Sequence, residues 1–315
     1  MATLRMPSEI APKKTISVLI YGQPSTGKTT LACSASNAVL FDYDGGVNRI
    51  NPAHLIPTLQ VESWEDTFAA LDMIEGDPQF RSIQTIIIDT CGKMLDYMSE
   101  YIMRTNPKMK QYDGTLSLKG YGVRKKMFTD FVHQLAIKGK NVIFVAHETE
   151  VKSGEDTIKR PLVGGSSAAD LIQELDLVGY MAFKGRKRTI SFNPSDDYYA
   201  KNSCYIPDTD IPECVDAQGN AVRANTFMED AVFGAFRKAQ QNKVEMNKRY
   251  NDLVNELNSI IAEVSSLDAL NDALKSIVKM PVIYDSKIKA GIALNAKAQT
   301  LGAKYDAKSK TYVAA

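Results

Sequence analysis

Residues 21–32 read "YGQPSTGKTTLA", and from Gly22 to Thr29 they fit the pattern G-x-x-x-x-G-K-[ST] at every position. An apolar run, "TISVLI", comes before the turn, and "TLACSASNAVLF" follows it. Strand, glycine-rich turn, then helix is the setting in which this pattern has a physical meaning. The glycines let successive backbone N–H groups converge on one anion, a lysine adds charge, and a hydroxyl closes the turn.

That chemistry suits the phosphates of a nucleoside triphosphate. The sequence therefore predicts that Gly22, Gln23, Pro24, Ser25, Thr26, Gly27, Lys28, Thr29 and Thr30 hold ATP. Lys28 neutralises the β and γ oxygens, and Thr29 is a ligand for Mg²⁺. The helix opening at Lys28 adds the positive end of its dipole.

Working outward, apolar runs alternate with helical patterns. "TISVLIYG" (15–22), "AVLFDYDGG" (38–46), "TIIIDT" (85–90) and "NVIFVAHE" (141–148) carry little polar alternation, as strands buried on both faces do. Helices are expected after Ser63, an N-cap with Glu65 and Asp66 in the first turn, and over 92–104 and 120–138. This alternation predicts an α/β fold with a mostly parallel central sheet. "LVGYMAFKGRKRTISFNP" reads as a hairpin with Gly185 near its tip, and 206–225 as a loop closing the main domain.

Three further motifs bear on the chemistry. Asp89, ending "TIIIDT", is the natural partner of the glycine turn and reaches Mg²⁺ directly or through water. Asp42 and Asp44 in "LFDYDGG" lie two apart, so both point to one face while the strand stays extended. Asp44, just before Gly45 and Gly46, is the better placed to orient an attacking water. His147, ending "NVIFVAHE", stands where a polar side chain can sense the γ-phosphate. Lys28, Asp44, Asp89 and His147 form the expected catalytic set.

Together with "RPLVGGSSAADLIQELDLVGYM" and "YYAKN", these strands resemble the RecA-type core, and more closely the RecA-like phage nucleotide-binding proteins of the AAA_24 type. The resemblance spans residues 15–205 and implies a RecA-like P-loop ATPase associated with phage single-strand annealing and recombination. By that likeness Asp44 stands in place of a longer, water-activating glutamate. His147 stands in place of the glutamine that reports the γ-phosphate to a DNA-binding loop, here residues 149–168. The likeness also implies homo-oligomers with ATP sites between subunits, completed by a neighbour's cation. Lys201, Lys184 and Arg186 are the candidates. A single-strand-binding protein or another recombination partner is a further expectation, as is a cytoplasmic location, that of the host if the gene is phage-borne. The stretch "AKAQTLGAKYDAKSKTYV" faintly resembles an "LGAxWDxxxKxWYV" module of phage and plasmid DNA-metabolism proteins, with Tyr305 and Tyr312 at the tryptophan positions.

A net charge of +1 gives no global attraction for nucleic acid, so any basic site must be local. Lys152, Lys159 and Arg160 lie in the segment after His147, and Lys184, Arg186, Lys187 and Arg188 lie around the hairpin tip. Arg124 and Lys125 belong to "KMKQYDGTLSLKGYGVRKKMF", where Tyr112 and Tyr121 interleave with the charges. Cations tracking phosphates beside aromatics that stack bases are what single-stranded DNA requires. Any one of these clusters alone is more often a solvated face, and it is the association with a RecA-like core that favours the DNA reading.

The composition excludes several classes. The chain has 315 residues, 44% hydrophobic and 24% charged, and can bury a sizeable core. Its four cysteines have no metal-ligand spacing, and no 18-residue apolar run occurs, so a reducing interior and no membrane are expected. The expected organisation is a flexible tail (1–14), an ATPase core (15–225), a helical region (226–300) and a hairpin-like terminus (301–315). Two other classes remain open: a nucleotide or nucleoside phosphotransferase, and a P-loop adaptor or helicase-loader-like module with regulatory ATP.

Overall fold

Alternating residues of the apolar runs bury on opposite faces of one sheet. The computed structural model describes residues 11–153, 156–164 and 172–315, with Ser153 described through its backbone alone. Five parallel strands form the centre: β1 (Ser17–Gly22), β2 (Ala38–Asp42), β3 (Thr58–Gln60), β4 (Thr85–Asp89) and β5 (Asn141–Ser153). Then come β6 (Asp156–Pro161), β7 (Leu177–Lys184), β8 (Lys187–Ser191), β9 (Lys201–Asn202) and β10 (Thr209–Asp210). The sheet has ten strands in the order β10-β8-β7-β1-β5-β4-β2-β3, with β6 paired to β5 and β9 to β7. β7 runs parallel to β1.

Leu19, Tyr21, Phe41, Ile86, Ile88 and Phe144 face one layer of core. It is closed by α2 (Trp64–Gly76), α3 (Cys91–Thr105) and α4 (Leu118–Ile137). Val18, Ile20, Leu40, Ile87, Ile143 and Val145 face the other layer. There they meet Leu31 and Ala32 of α1 (Lys28–Ala32), and Met228, Val232 and Phe233 of a short helix, Met228–Phe233. Burial on both faces explains the unbroken apolar runs. The fold is an α/β P-loop architecture with seven α-helices among the described residues.

β5 lies between β1 and β4, pairing in parallel with each. The C-terminal ends of all three strands therefore open on the same edge of the sheet, where ligands of open α/β sheets bind.

The segment after His147, expected as a loop, is a hairpin instead. β5 continues to Ser153 and β6 returns antiparallel, with Glu148 opposite Pro161 and Ser153 opposite Asp156. Thr149, Val151, Thr157 and Ile158 supply β-compatible side chains on both arms, so the polar residues between them do not stop the strands. The rest of that segment, residues 165–168, lies outside the described residues, as do most of the short helix expected beyond it and residues 1–10 of the expected tail.

The chain divides into two compact units, Lys13–Ala239 and Gln240–Ala315, with Ala11 and Pro12 grouped in the second. The first therefore extends past residue 225, because Met228, Val232, Phe233 and Phe236 belong to its core. In the second, the remainder of α5 (Gly234–Ala262) packs with α6 (Leu267–Lys279), α7 (Ser286–Thr300) and the hairpin β11 (Ala303–Asp306) and β12 (Thr311–Ala314). Leu253, Leu257, Ile261 and Val264 point into that unit's own core with Leu270, Ile277 and Leu294. Tyr305 and Tyr312 are cross-strand partners with ring centroids 5.3 Å apart. No helix among the described residues is long and apolar enough to cross a membrane.

Candidate functional site

Gly22 ends β1 with the backbone of β7 against it: a Cβ there would lie 2.1 Å from the Met181 carbonyl oxygen. Ser25 (φ 64°) and Gly27 (φ 88°) both take left-handed conformations, which curl the loop into a concavity of N–H groups. The Thr26 hydroxyl pins the loop by donating to the Gln23 carbonyl at 2.9 Å. The helix that follows is only five residues long, so the loop's own N–H groups, rather than a long helix dipole, make the anion site.

Lys28 is buried, and its Nζ donates to the carbonyls of Gly22 (3.0 Å) and Gln23 (2.7 Å). Burial lowers its pKa, while the Asp89 and Glu148 carboxylates act the other way. The ammonium is thus folded onto the loop, and incoming phosphate oxygens offer it stronger, charged acceptors.

Asp89 ends β4, and its Oδ2 accepts a hydrogen bond from Thr29 Oγ1 at 2.5 Å. Burial pushes the carboxyl up to about 6, and the negative neighbours Asp44 and Asp42 add to the rise; the Thr29 hydroxyl and Lys28 oppose it. A hydroxyl and a carboxylate side by side are a hard-oxygen pair. They suit Mg²⁺, which takes its other ligands from phosphate and water. The nearby cation would also hold Asp89 ionised.

The two aspartates of "LFDYDGG" separate. Asp42 is the last residue of β2 and is buried. Its oxygens accept from Gly46 N (3.0 Å) and Val47 N (3.2 Å), capping the turn Gly46–Arg49. Asp44 lies beyond the strand, takes one bond from Gly46 N (3.0 Å), and has Arg49 at 3.9 Å. It lines a cleft of about 270 Å³ together with Lys28, Thr29, Asp89, Val145 and His147. Asp42 is not among the residues lining that cleft.

His147 sits in register with Gly22 across the β1–β5 pair. Its Nδ1 is buried without a hydrogen-bond partner among the described residues. Burial and the charge of Lys28 depress its pKa, with Asp44 opposing, so the imidazole is neutral at neutral pH. One ring nitrogen is thereby left free to accept or donate toward the cleft. Its own carbonyl accepts from Leu162 N at 2.7 Å, tying the residue to the returning arm of the hairpin.

The basic residues fall into distinct environments. Lys152 is exposed. Lys159 lies over the Tyr180 ring, 5.7 Å from its centroid, beside the stacked pair Tyr180–Tyr198. Arg160 is half-buried with its Nε unpartnered among the described residues. Lys184 and Arg186 are exposed around the turn at Gly185 (φ 63°), and Lys187 pairs with Asp210 at 2.8 Å.

Three expectations change. Arg124 is buried at 3% exposure, donating to Ser99 Oγ (3.0 Å) and to the Gly164 carbonyl, so it is an internal tie and not a surface contact for DNA. Lys125 beside it is half-buried. Lys201 donates to the carbonyls of Gln173 (2.7 Å) and Leu175 (2.5 Å), which occupies it within its own chain. Arg188 lies against Gly27 rather than at the hairpin tip. Sequence reasoning also misses Arg49, which lines the cleft from the turn after Gly46. Its one signal is its place just beyond the glycine pair, on the same turn that carries Asp44.

A family model described as an AAA domain, AAA_24, matches residues 14–204, more than half of the chain and nearly all of the sheet just described. No curated protein matches the chain.

Proposed function

The chain belongs to the AAA_24 family of AAA domains, which are P-loop ATPases, and from that premise we propose that it couples ATP binding and hydrolysis to its hold on single-stranded DNA, in recombination or annealing of the phage type. The observation that carries this reading is the continuity of β5. One strand bears His147 in the nucleotide cleft and, within six residues, becomes an arm of the hairpin that carries Lys152, Lys159 and Arg160. A change in what His147 contacts alters the same strand that presents the basic residues.

In the proposed cycle the loop from Gly22 to Thr30 holds the triphosphate, and Lys28 exchanges its carbonyl partners for phosphate oxygens. Mg²⁺, when bound, neutralises charge on the β and γ oxygens. Thr29 and Asp89 would hold it, and Asp44 would orient the attacking water. His147 responds to the γ-phosphate. Lys184 and Arg186, both exposed at the hairpin tip, fit the cation that a neighbouring subunit would supply in a homo-oligomer. A single-strand-binding protein is the fitting partner for such a reaction.

The test is the affinity of a fluorescent oligonucleotide with ATP, with ADP and without nucleotide, at stated low salt, for wild type and Lys28→Ala. The expected result is an affinity that depends on nucleotide in wild type and does not in the variant. Oligonucleotide binding that is absent in every state would overturn the DNA reading while leaving the ATPase assignment intact.

One feature favours a second reading, a phosphotransferase. A cavity of about 520 Å³ adjoins the cleft at Asp44, lined also by Tyr43, Gln60, Glu62, Lys93 and Tyr97, and could seat a phosphate acceptor. Transfer of labelled γ-phosphate to a nucleoside or nucleotide would establish that reading in place of the first.

A further inference from the structure

We propose that Arg188 binds the phosphate chain of the nucleotide from within the same subunit, on the opposite side of the P-loop from His147. The inference deepens the nucleotide-site reading and rests on it.

The sheet's register sets the position. Gly22 lies between His147 on β5 and Met181 on β7. β7 then runs on past Met181 to Phe183, which pairs with Arg188 on β8. The hairpin therefore projects beyond the C-terminal edge of β1, where the P-loop begins, and Arg188 comes alongside the loop. A Cβ added at Gly27 would lie 3.7 Å from Arg188 Nε and 3.8 Å from both Cζ and Nη1. The guanidinium thus stands one methyl group's distance from the glycine that precedes Lys28.

Its Nε–H is unspent: the atom is buried, with no acceptor among the described residues. No ion pair is formed by Arg188 among them either, although its neighbour Lys187 pairs with Asp210. The guanidinium lies over the Phe183 ring instead, with Cζ 5.9 Å from the centroid. A half-buried arginine fork without a carboxylate, set beside a phosphate-binding turn, has the geometry for oxyanions of the phosphate class. Asp44, Asp89 and His147 line the cleft where the γ-phosphate would sit; Gly27 lines the same cleft from the P-loop, and Arg188 stands beside Gly27. Arg188 is accordingly assigned to the inner phosphates, which ATP and ADP share.

The experiment titrates fluorescent ATP and ADP analogues, with Mg²⁺, into wild type, Arg188→Ala and Arg188→Lys, alongside the melting temperature of each ligand-free protein. The expected result is about tenfold weaker binding of both nucleotides by Arg188→Ala, with Arg188→Lys in between because charge remains while the fork is gone. Ligand-free melting temperatures should stay close to that of wild type. Wild-type affinity for both nucleotides in Arg188→Ala would overturn the proposal. So would normal binding with impaired turnover that returns on mixing with Lys28→Ala subunits, since that pattern assigns Arg188 to a neighbour's site. If Arg188→Ala fails to fold, Arg188→Lys decides alone, by weaker or unchanged binding. Failure of wild type to bind either nucleotide would instead refute the reading of the site itself.

Discussion

The Thr29 hydroxyl and the Asp89 carboxylate are joined at 2.5 Å, so the end of the P-loop and the end of β4 meet across the width of an intervening strand. Asp89 is costly in this position. Burial raises its carboxyl from the ordinary 3.8 to about 6, so folding without ligand favours the protonated form relative to the unfolded chain. The stability this preference gives is complete below about pH 4 and is lost as pH rises through about 6. Relative to Asp89→Asn, ligand-free wild type should lose on the order of 2 to 3 kcal/mol between pH 4 and pH 7. Urea unfolding of both proteins across that range measures the difference. Parallel stability profiles would show that Asp89 is not held in this environment.

Lys28→Ala removes the buried ammonium and with it a charge-assisted hydrogen bond to phosphate. Bonds of that kind contribute about 1.5–3 kcal/mol, so ATP affinity should fall roughly 10- to 100-fold. Calorimetric titration reads this directly. Undiminished binding would mean the nucleotide sits elsewhere.

The two aspartates after β2 should behave oppositely. Asp42→Asn weakens the cap on Gly46 and Val47 and should cost about 1–2 kcal/mol of stability. Asp44→Asn leaves that cap in place and should lower turnover at least tenfold, with nucleotide affinity little changed. Measuring the melting temperature, Kd and kcat for both variants separates the roles. A turnover defect larger in Asp42→Asn than in Asp44→Asn would reverse the assignment.

Arg124 should matter for folding and not for DNA. Replacing it with alanine leaves the Gly164 carbonyl and Ser99 without their donor and should destabilise by about 2–4 kcal/mol. Oligonucleotide affinity, measured where the variant is still folded, should be unchanged. Lys152→Ala combined with Lys159→Ala, on the hairpin that continues from His147, should in contrast weaken binding. The slope of log affinity against log salt should become shallower by about 0.7 for each phosphate that is no longer neutralised.

Arg124 also marks how far the sequence can be read. It stands in a run of lysines, which suggests a surface patch. Counting along α4, however, Gly120, Arg124, Phe128, Val132 and Leu135 fall at helical spacing and are all buried. The apolar periodicity holds the answer, and the charge pattern obscures it. β1, β2, β4 and β5 are legible because burial on both faces leaves unbroken apolar runs. β3 is not, because Thr58 and Leu59 are only half-buried, Gln60 is exposed, and three residues carry no period. The hairpin after His147 escapes sequence reading because its described residues, Pro161 apart, are exposed or only half-buried, which hides strands that are held by backbone pairing.

The site divides in the same way. Lys28, Thr29 and Asp89 are fixed by motifs and need no tertiary knowledge. The choice between Asp42 and Asp44 depends on which one is buried and also holds Val47 N and which one lines the cleft, a fact of three-dimensional closure. Arg188 comes to the P-loop through the register of β7 and β8, which no spacing within one segment could reveal.

The coupling of the nucleotide cleft to single-stranded DNA is tested most directly by ATP turnover measured against a rising concentration of an unstructured oligonucleotide, at fixed low salt. The account predicts turnover that climbs and saturates in wild type, is absent in Lys28→Ala, and in His147→Ala runs at a basal rate that DNA does not change. Turnover in wild type that is indifferent to the oligonucleotide would contradict it.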